Sequence, residues 1–164
     1  MTIDIYAADE QHAQPVDLER WVALARAALA DEGVRPPAEV SLIFTDEATI
    51  ADLNQRFMGK AGPTDVLSFP IDADPEPGGR SPDGGTTGPG DEPTEEIPTM
   101  VGDIVICPIV AARNAPEHGL SVADETALLV VHGVLHLLGY DHEDEAERAA
   151  MWAKQEAYAG VRVP

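Results

Sequence analysis

Between Ser121 and Gly139 the sequence writes one long apolar helix and sets two histidines on it, four residues apart. Leu128, Leu129, Val131, Val134, Leu135 and Leu138 supply its apolar residues. Ser121-x-x-Asp124 resembles a capping box with Asp in place of the preferred Glu, and Gly139 ends the run. On a helix, His132 and His136 share one face with their Cβ atoms about 5–6 Å apart, close enough for two imidazoles to share one ion. Gly139 can take the left-handed conformation that closes a helix, after which Tyr140-Asp141 can swing His142 back toward the pair. The chain has five histidines, and three of them lie within HGVLHLLGYDH, residues 132–142.

Three neutral imidazoles suit one Zn²⁺ per chain and leave its fourth position for a reacting oxygen, which is the arrangement of a catalytic site. A structural zinc normally shows four protein ligands, often cysteines. The spacing H-x-x-x-H-x-x-G-x-x-H is that of metzincin zinc proteases, in which the residue after the first histidine is a Glu serving as general base. Here that residue is Gly133. Peptide hydrolysis on the metzincin plan therefore lacks its proton acceptor. What survives is a zinc-bound water of lowered pKa and a Lewis acid, equipment suited to phosphodiester cleavage. The other two histidines, His12 and His118, fall at loop or helix-end positions and read as surface residues.

Upstream, TIDIY (2–6) alternates as a first strand, and Asp17–Asp31 is an amphipathic helix closed by Gly33 and Pro36-Pro37. VSLIFT (40–45) reads as a central strand. Asp46 caps a helix running to about Phe57, with Ile50, Leu53 and Phe57 on its inner face. VLSFPI (66–71) is a third strand, ended or held at an edge by Pro70, and VGDIVIC (101–107) is a fourth. Ile109–His118 is a short helix ended by Gly119, and a last helix spans roughly Glu143–Ala159. Between the third and fourth strands, residues 72–99 are rich in Pro, Gly and acids and read as a mobile surface insertion within one domain, 1–164. The element order indicates an α+β or mixed α/β domain of about four strands.

The charge argues against a nucleic-acid partner at first sight. Ten Lys+Arg against thirty Asp+Glu give −20, an average field that repels polyanions. The insertion holds eight acids and one base, a net of −7, so the remainder still carries −13. No apolar run spans a bilayer, since Ala127–Leu138 is short and carries two histidines. The N-terminus has neither a basic start nor an apolar stretch and does not read as a signal peptide. Cys107 is the only cysteine and reads as a small buried hydrophobe in a reducing compartment. These features set the expectation of a cytoplasmic protein with no membrane association.

HGVLHLLGYDH, together with PTDVLSFP (63–70), LNQRF (53–57) before it and GDIVIC (102–107), resembles the YbeY family of bacterial zinc-dependent endoribonucleases. The match to that family's signature H-G-x-L-H-L-x-G-Y-D-H includes Gly133, and the blocks occur in the family order. The resemblance implies an α+β fold with a small mixed four-stranded sheet, about five helices and a zincin-like metal helix. It implies zinc on His132, His136 and His142 and cleavage of single-stranded RNA nearby. The implied cellular setting is 16S rRNA 3′-end maturation and ribosome quality control, with the ribosomal subunit or a ribosomal protein as partner and no DNA. Relatives often carry an arginine after the aromatic residue where this chain has Met58, and an acid where it has Ala61, so a phosphate-gripping role of that arginine is either empty here or has moved to Arg56 or Lys60. Asp141 is a candidate to orient a ligand or accept a proton. Ser68 and Thr64 are candidates for the cleft, although strand alternation buries one or the other equally well. Asp103 either faces the metal, bonds a ligand histidine, or closes a turn. Two other functions fit parts of the pattern: a zinc-dependent amide or peptide hydrolase, and a non-catalytic ribosome assembly factor with structural zinc. A partner protein or Mg²⁺ can supply the positive charge that the surface lacks.

Overall fold

The computed structural model describes residues 2–71, 97–140 and 144–162. Its elements are β1 (Ile3–Asp9), α1 (Leu18–Asp31), β2 (Ala38–Phe44), α2 (Glu47–Leu53), β3 (Val66–Pro70), β4 (Thr99–Ile106), α3 (Pro108–Asn114), α4 (Val122–Leu137) and α5 (Glu145–Ala159). The sheet order is β1-β2-β4-β3, with β1, β2 and β4 parallel and β3 antiparallel to β4. This is the mixed four-stranded α+β arrangement with five α-helices. Pro70 sits at the end of edge strand β3, where its missing N–H breaks no ladder.

Helices α1, α2 and α4 begin where the sequence offers a side-chain acceptor. Asp17 accepts from the Arg20 amide at 3.3 Å, Asp46 from Thr49 at 2.8 Å, and Ser121 from Asp124 at 3.1 Å. The parallel pair β1–β2 is joined across α1, which packs its Trp21, Ala25, Ala28 and Leu29 on the sheet. On β2, Ala38, Val40, Leu42 and Phe44 face this core, and so do Ile104 and Ile106 of β4. A smaller cluster on the opposite sheet face joins Ile50, Leu67, Val105, Cys107 and Val110. Cys107 is fully buried there, and burial raises its thiol pKa.

Two expectations shift. Beyond Leu53 the helix widens into a π turn, Asn54–Met58, that Gly59 closes. The change of pitch turns Phe57 outward, so it is 61% exposed and meets Phe69 edge-on, centroid to centroid 5.4 Å, instead of lying on an inner face. The fourth strand also starts two residues earlier, at Thr99, which takes the Pro37 carbonyl at 3.0 Å. The bulk of the acid-rich insertion, residues 72–96, lies outside the described residues. No single helix among the described residues is long and apolar enough to cross a membrane.

At Gly133 the helix α4 lies close against the sheet. A Cβ built on it would stand 2.7 Å from Ile104 Cγ2 and 3.2 Å from Ile104 Cδ1. Ile104 is itself fully buried on the central strand β4 and has nowhere to retreat. The glycine after the first histidine is therefore a packing requirement: it lets the backbone of α4 lie against β4 with the two histidines at the margin of the contact. Gly133→Ala gains roughly 1 kcal/mol of helix propensity. Forcing a methyl into the contact typically costs about 1–3 kcal/mol. The expected outcome in thermal unfolding is a fall in Tm of about 4 °C; an equal or higher Tm contradicts this packing.

Candidate active site

α4 carries His132 and His136 half-buried, with ring centroids 4.6 Å apart and planes at 69°. The side-chain amide oxygen of Gln155, on α5, accepts from His132 Nδ1 at 2.8 Å. With an oxygen facing it, Nδ1 carries the proton and Nε2 the lone pair, the form in which an imidazole ligates a metal. Gln155 is 3% exposed, so the bond is shielded from water. It lies 23 residues from His132 and no local pattern announces it.

The helix ends as the glycine predicted. Gly139 has φ +95°, its amide binds the His136 carbonyl at 3.0 Å, and the Tyr140 amide binds Leu135 at 3.0 Å. This is a Schellman closure, and Tyr140 packs over Val131, Leu135 and Met151. The chain thus turns back immediately after the histidine pair. His142, the third expected ligand, and Asp141, the expected orienting residue or proton acceptor, lie outside the described residues. Among the described residues no three His, Cys, Asp or Glu side chains converge as a metal cage. The chemistry of the two placed donors fits zinc: adjacent nitrogens on one helix face, one of them fixed in tautomer from behind.

A cleft of about 420 Å³ opens in front of the pair, lined by Asn54, Met58, Lys60, Thr64, Val66, Leu67, Ser68, His132 and His136. Thr64 and Ser68 both reach it, and Ser68 Oγ donates to the Gly133 carbonyl at 3.4 Å. The two candidate bases separate. Lys60 lines the cleft, whereas Arg56 is exposed and paired with Asp52 at 3.2 Å. Asp103 belongs elsewhere: it projects from the opposite face of β4 and lines a groove with Ser41, Phe57 and Phe69. Strand alternation puts it there, because its neighbours Gly102 and Ile104 are the ones that face α4. Asn54 went unnoticed in the sequence. It is 6% exposed, and its amide donates to the Gly62 carbonyl at 2.9 Å, pinning the loop that carries Lys60. The π turn is what aims it inward.

The model of the family described as Endoribonuclease YbeY matches residues 6–160. The chain belongs to the YbeY endoribonuclease family. An Endoribonuclease YbeY of Rhodococcus opacus (strain B4) is 44% identical over 155 residues, 94% of this chain and 78% of the relative. That of Rhodococcus erythropolis is 49% identical over 134 residues, 82% of this chain and 68% of the relative. Among solved structures, the solution structure of TM1509 from Thermotoga maritima aligns with a TM-score of 0.60 at 28% identity, covering 94% of this chain and 86% of that one.

In this YbeY-family chain the signature tyrosine has its own anchor. Tyr140 Oη donates to Glu32 Oε1 at 2.6 Å, Tyr158 Oη donates to Glu32 Oε2, and Lys154 Nζ donates to Glu32 Oε2 at 2.9 Å. The Glu32 side chain is 8% exposed. Burial alone would raise its pKa, but the two phenols and the ammonium outweigh it and hold the carboxyl at about 2, below its ordinary value of 4.5. A depressed carboxyl stabilises the fold above its unfolded pKa and loses that contribution as pH falls through the folded one. Glu32→Gln is therefore expected to lower Tm by about 5 °C at pH 7. The gap to the native chain should shrink as pH falls from 4.5 toward 2. A gap that is constant over this range, or widens in acid, contradicts the assignment.

Proposed function

We propose that this YbeY-family endoribonuclease is zinc-dependent, acts on single-stranded rRNA in the cytoplasm, and works as one domain in association with the ribosomal subunit or a ribosomal protein. The observation that carries the reading is the composition of the cleft: an oriented histidine pair faces Lys60, Asn54, Thr64 and Ser68. An ammonium, an amide and two hydroxyls are donors suited to phosphate and sugar oxygens.

His132 and His136 would hold the zinc, with His142 as the third ligand. When bound, zinc supplies a Lewis acid that lowers the pKa of a water and stabilises negative charge developing on phosphorus. The protein's own groups divide the remaining tasks. Gln155 keeps His132 in the ligating tautomer. Lys60 pairs with a non-bridging phosphate oxygen, and Asn54 holds the loop that presents it. Thr64 and Ser68 donate to the sugar-phosphate backbone and set its register. Among the described residues Lys60 is the one cation lining this cleft, so Mg²⁺ or a basic ribosomal partner supplies the rest of the counter-charge on a chain of net charge −20.

The two other readings lose ground on particular observations. A protease base at position 133 has no space, because Ile104 fills it. A structural zinc site is closed, whereas the histidine pair opens onto a cleft of about 420 Å³. Cleavage of a labelled single-stranded RNA, with the same sequence in a duplex as control, tests the proposal. His136→Ala is expected to lower kcat/KM at least about 100-fold. Lys60→Ala should raise KM roughly tenfold, and Arg56→Ala should change it by less than about twofold. Undiminished cleavage by His136→Ala, or equal effects of the two basic substitutions, contradicts it.

A further inference from the structure

A second cavity, of about 260 Å³, lies on the far side of His132. Among the described residues it shares His132 and Val66 with the cleft in front of the histidine pair, so the two hollows meet at these residues. An extended chain lying over His132 reaches both. The chemistry changes from one hollow to the other. The first cleft has a lysine and hydroxyls, whereas the second, among the described residues, is lined by no Lys or Arg and carries two carboxylates, Asp65 and Glu125. A phosphate is repelled there.

Its remaining walls are the apolar side chains of Leu128 and Leu129 and the indole of Trp152 at the rim. Trp152 is 43% exposed, although its neighbour Met151 is buried in the core. A tryptophan left open beside a hollow is a stacking surface, and single-stranded RNA is bound by stacking unpaired bases on such surfaces while polar groups read their edges. The polar groups are in place. Glu125, with its side chain 4% exposed, accepts from His118 Nδ1 at 2.8 Å. That bond raises the His118 pKa, and the nearby Glu117 and Asp65 carboxylates act in the same direction. His118 and Asp65 both line the hollow, with the His118 ring held in place by Glu125. The volume is below the roughly 300–1,000 Å³ of a pocket for a whole drug-sized ligand, which suits one base and not a nucleotide.

We propose that the hollow formed by Asp65, His118, Leu128, Leu129, Gln155 and Trp152 is a base-binding subsite. It takes one unpaired amino-bearing base, adenine or cytosine, from the nucleotide next to the phosphate held in front of the histidine pair. The base stacks on Trp152, and its exocyclic amine donates to Asp65. Uracil, with a carbonyl where the amine would be, meets the carboxylate unfavourably. Asp65 of PTDVLSFP thereby selects the base, while Thr64 and Ser68 of the same segment serve the backbone.

The subsite rests on the ribonuclease reading, and the test separates the two. Oligo(A), oligo(C) and oligo(U) ten-mers are titrated against the native chain, Trp152→Ala, Trp152→Phe and Asp65→Asn. Binding is followed by indole emission, and kcat/KM is measured on the same RNAs. The other tryptophan, Trp21, is 4% exposed and should not respond. Oligo(A) and oligo(C) are expected to quench emission and bind more tightly than oligo(U). Trp152→Ala should abolish the quenching and weaken binding about tenfold. Trp152→Phe should keep most of the affinity, and Asp65→Asn should narrow the preference over uracil. RNA that is bound and cleaved equally well by the native chain and Trp152→Ala, with emission unmoved at saturation, overturns the subsite alone. RNA neither bound nor cleaved by the native chain overturns both readings.

Discussion

The site depends on one close approach, the backbone of α4 against Ile104 of β4 at Gly133. A helix normally keeps its neighbours at the distance of a side chain. Removing that side chain at position 133 brings the helix axis toward the sheet and fixes its rotation about that axis. Once the rotation is set, Val130, Val134 and Leu137 enter the core and His132 and His136 stand half-buried at its margin. The residue that would be a catalytic carboxylate in a metzincin is thus used here for packing. Proteolytic chemistry and this helix–sheet contact exclude one another at the same position.

Around the histidine pair the protein builds rigidity from distant parts of the chain. Gln155 comes from α5 to hold His132 from behind. Glu32, at the end of α1, holds Tyr140, the residue after the helix-closing Gly139. The site is therefore supported by α1 and α5 as well as by the helix that carries it. Its polarity is divided in the same way. Donors gather on one side of His132, and acids with apolar walls on the other. A strongly acidic protein can engage RNA on these terms if cations or a partner neutralise phosphates and its own surface reads the bases.

The sequence disclosed the parts of this arrangement that have local causes. α2 and α4 begin at the capping residues that can be read directly, Asp46 and Ser121, and α4 stops at Gly139 because a left-handed residue is needed there. The fold class followed from the order of alternating and apolar runs. What stayed hidden depends on phase or on distance. Whether Asp103 or its neighbours face the helix is a matter of strand parity, which only the packing of Ile104 on Gly133 decides. The π turn that exposes Phe57 and buries Asn54 has no distinctive residue to mark it. Gln155 and Glu32 act across 23 and 108 residues, and nothing near them in the chain signals a role. Gly133 was noticed as a missing base, and its positive role became visible only with Ile104 beside it.

The zinc proposed for the α4 histidines can be checked by elemental analysis of the purified chain after dialysis, for the native sequence and for His136→Ala. One zinc per native chain is expected, and its loss from the variant, with both proteins folded by circular dichroism. Native protein without stoichiometric metal, or a folded His136→Ala variant that retains one zinc per chain, would contradict that proposal.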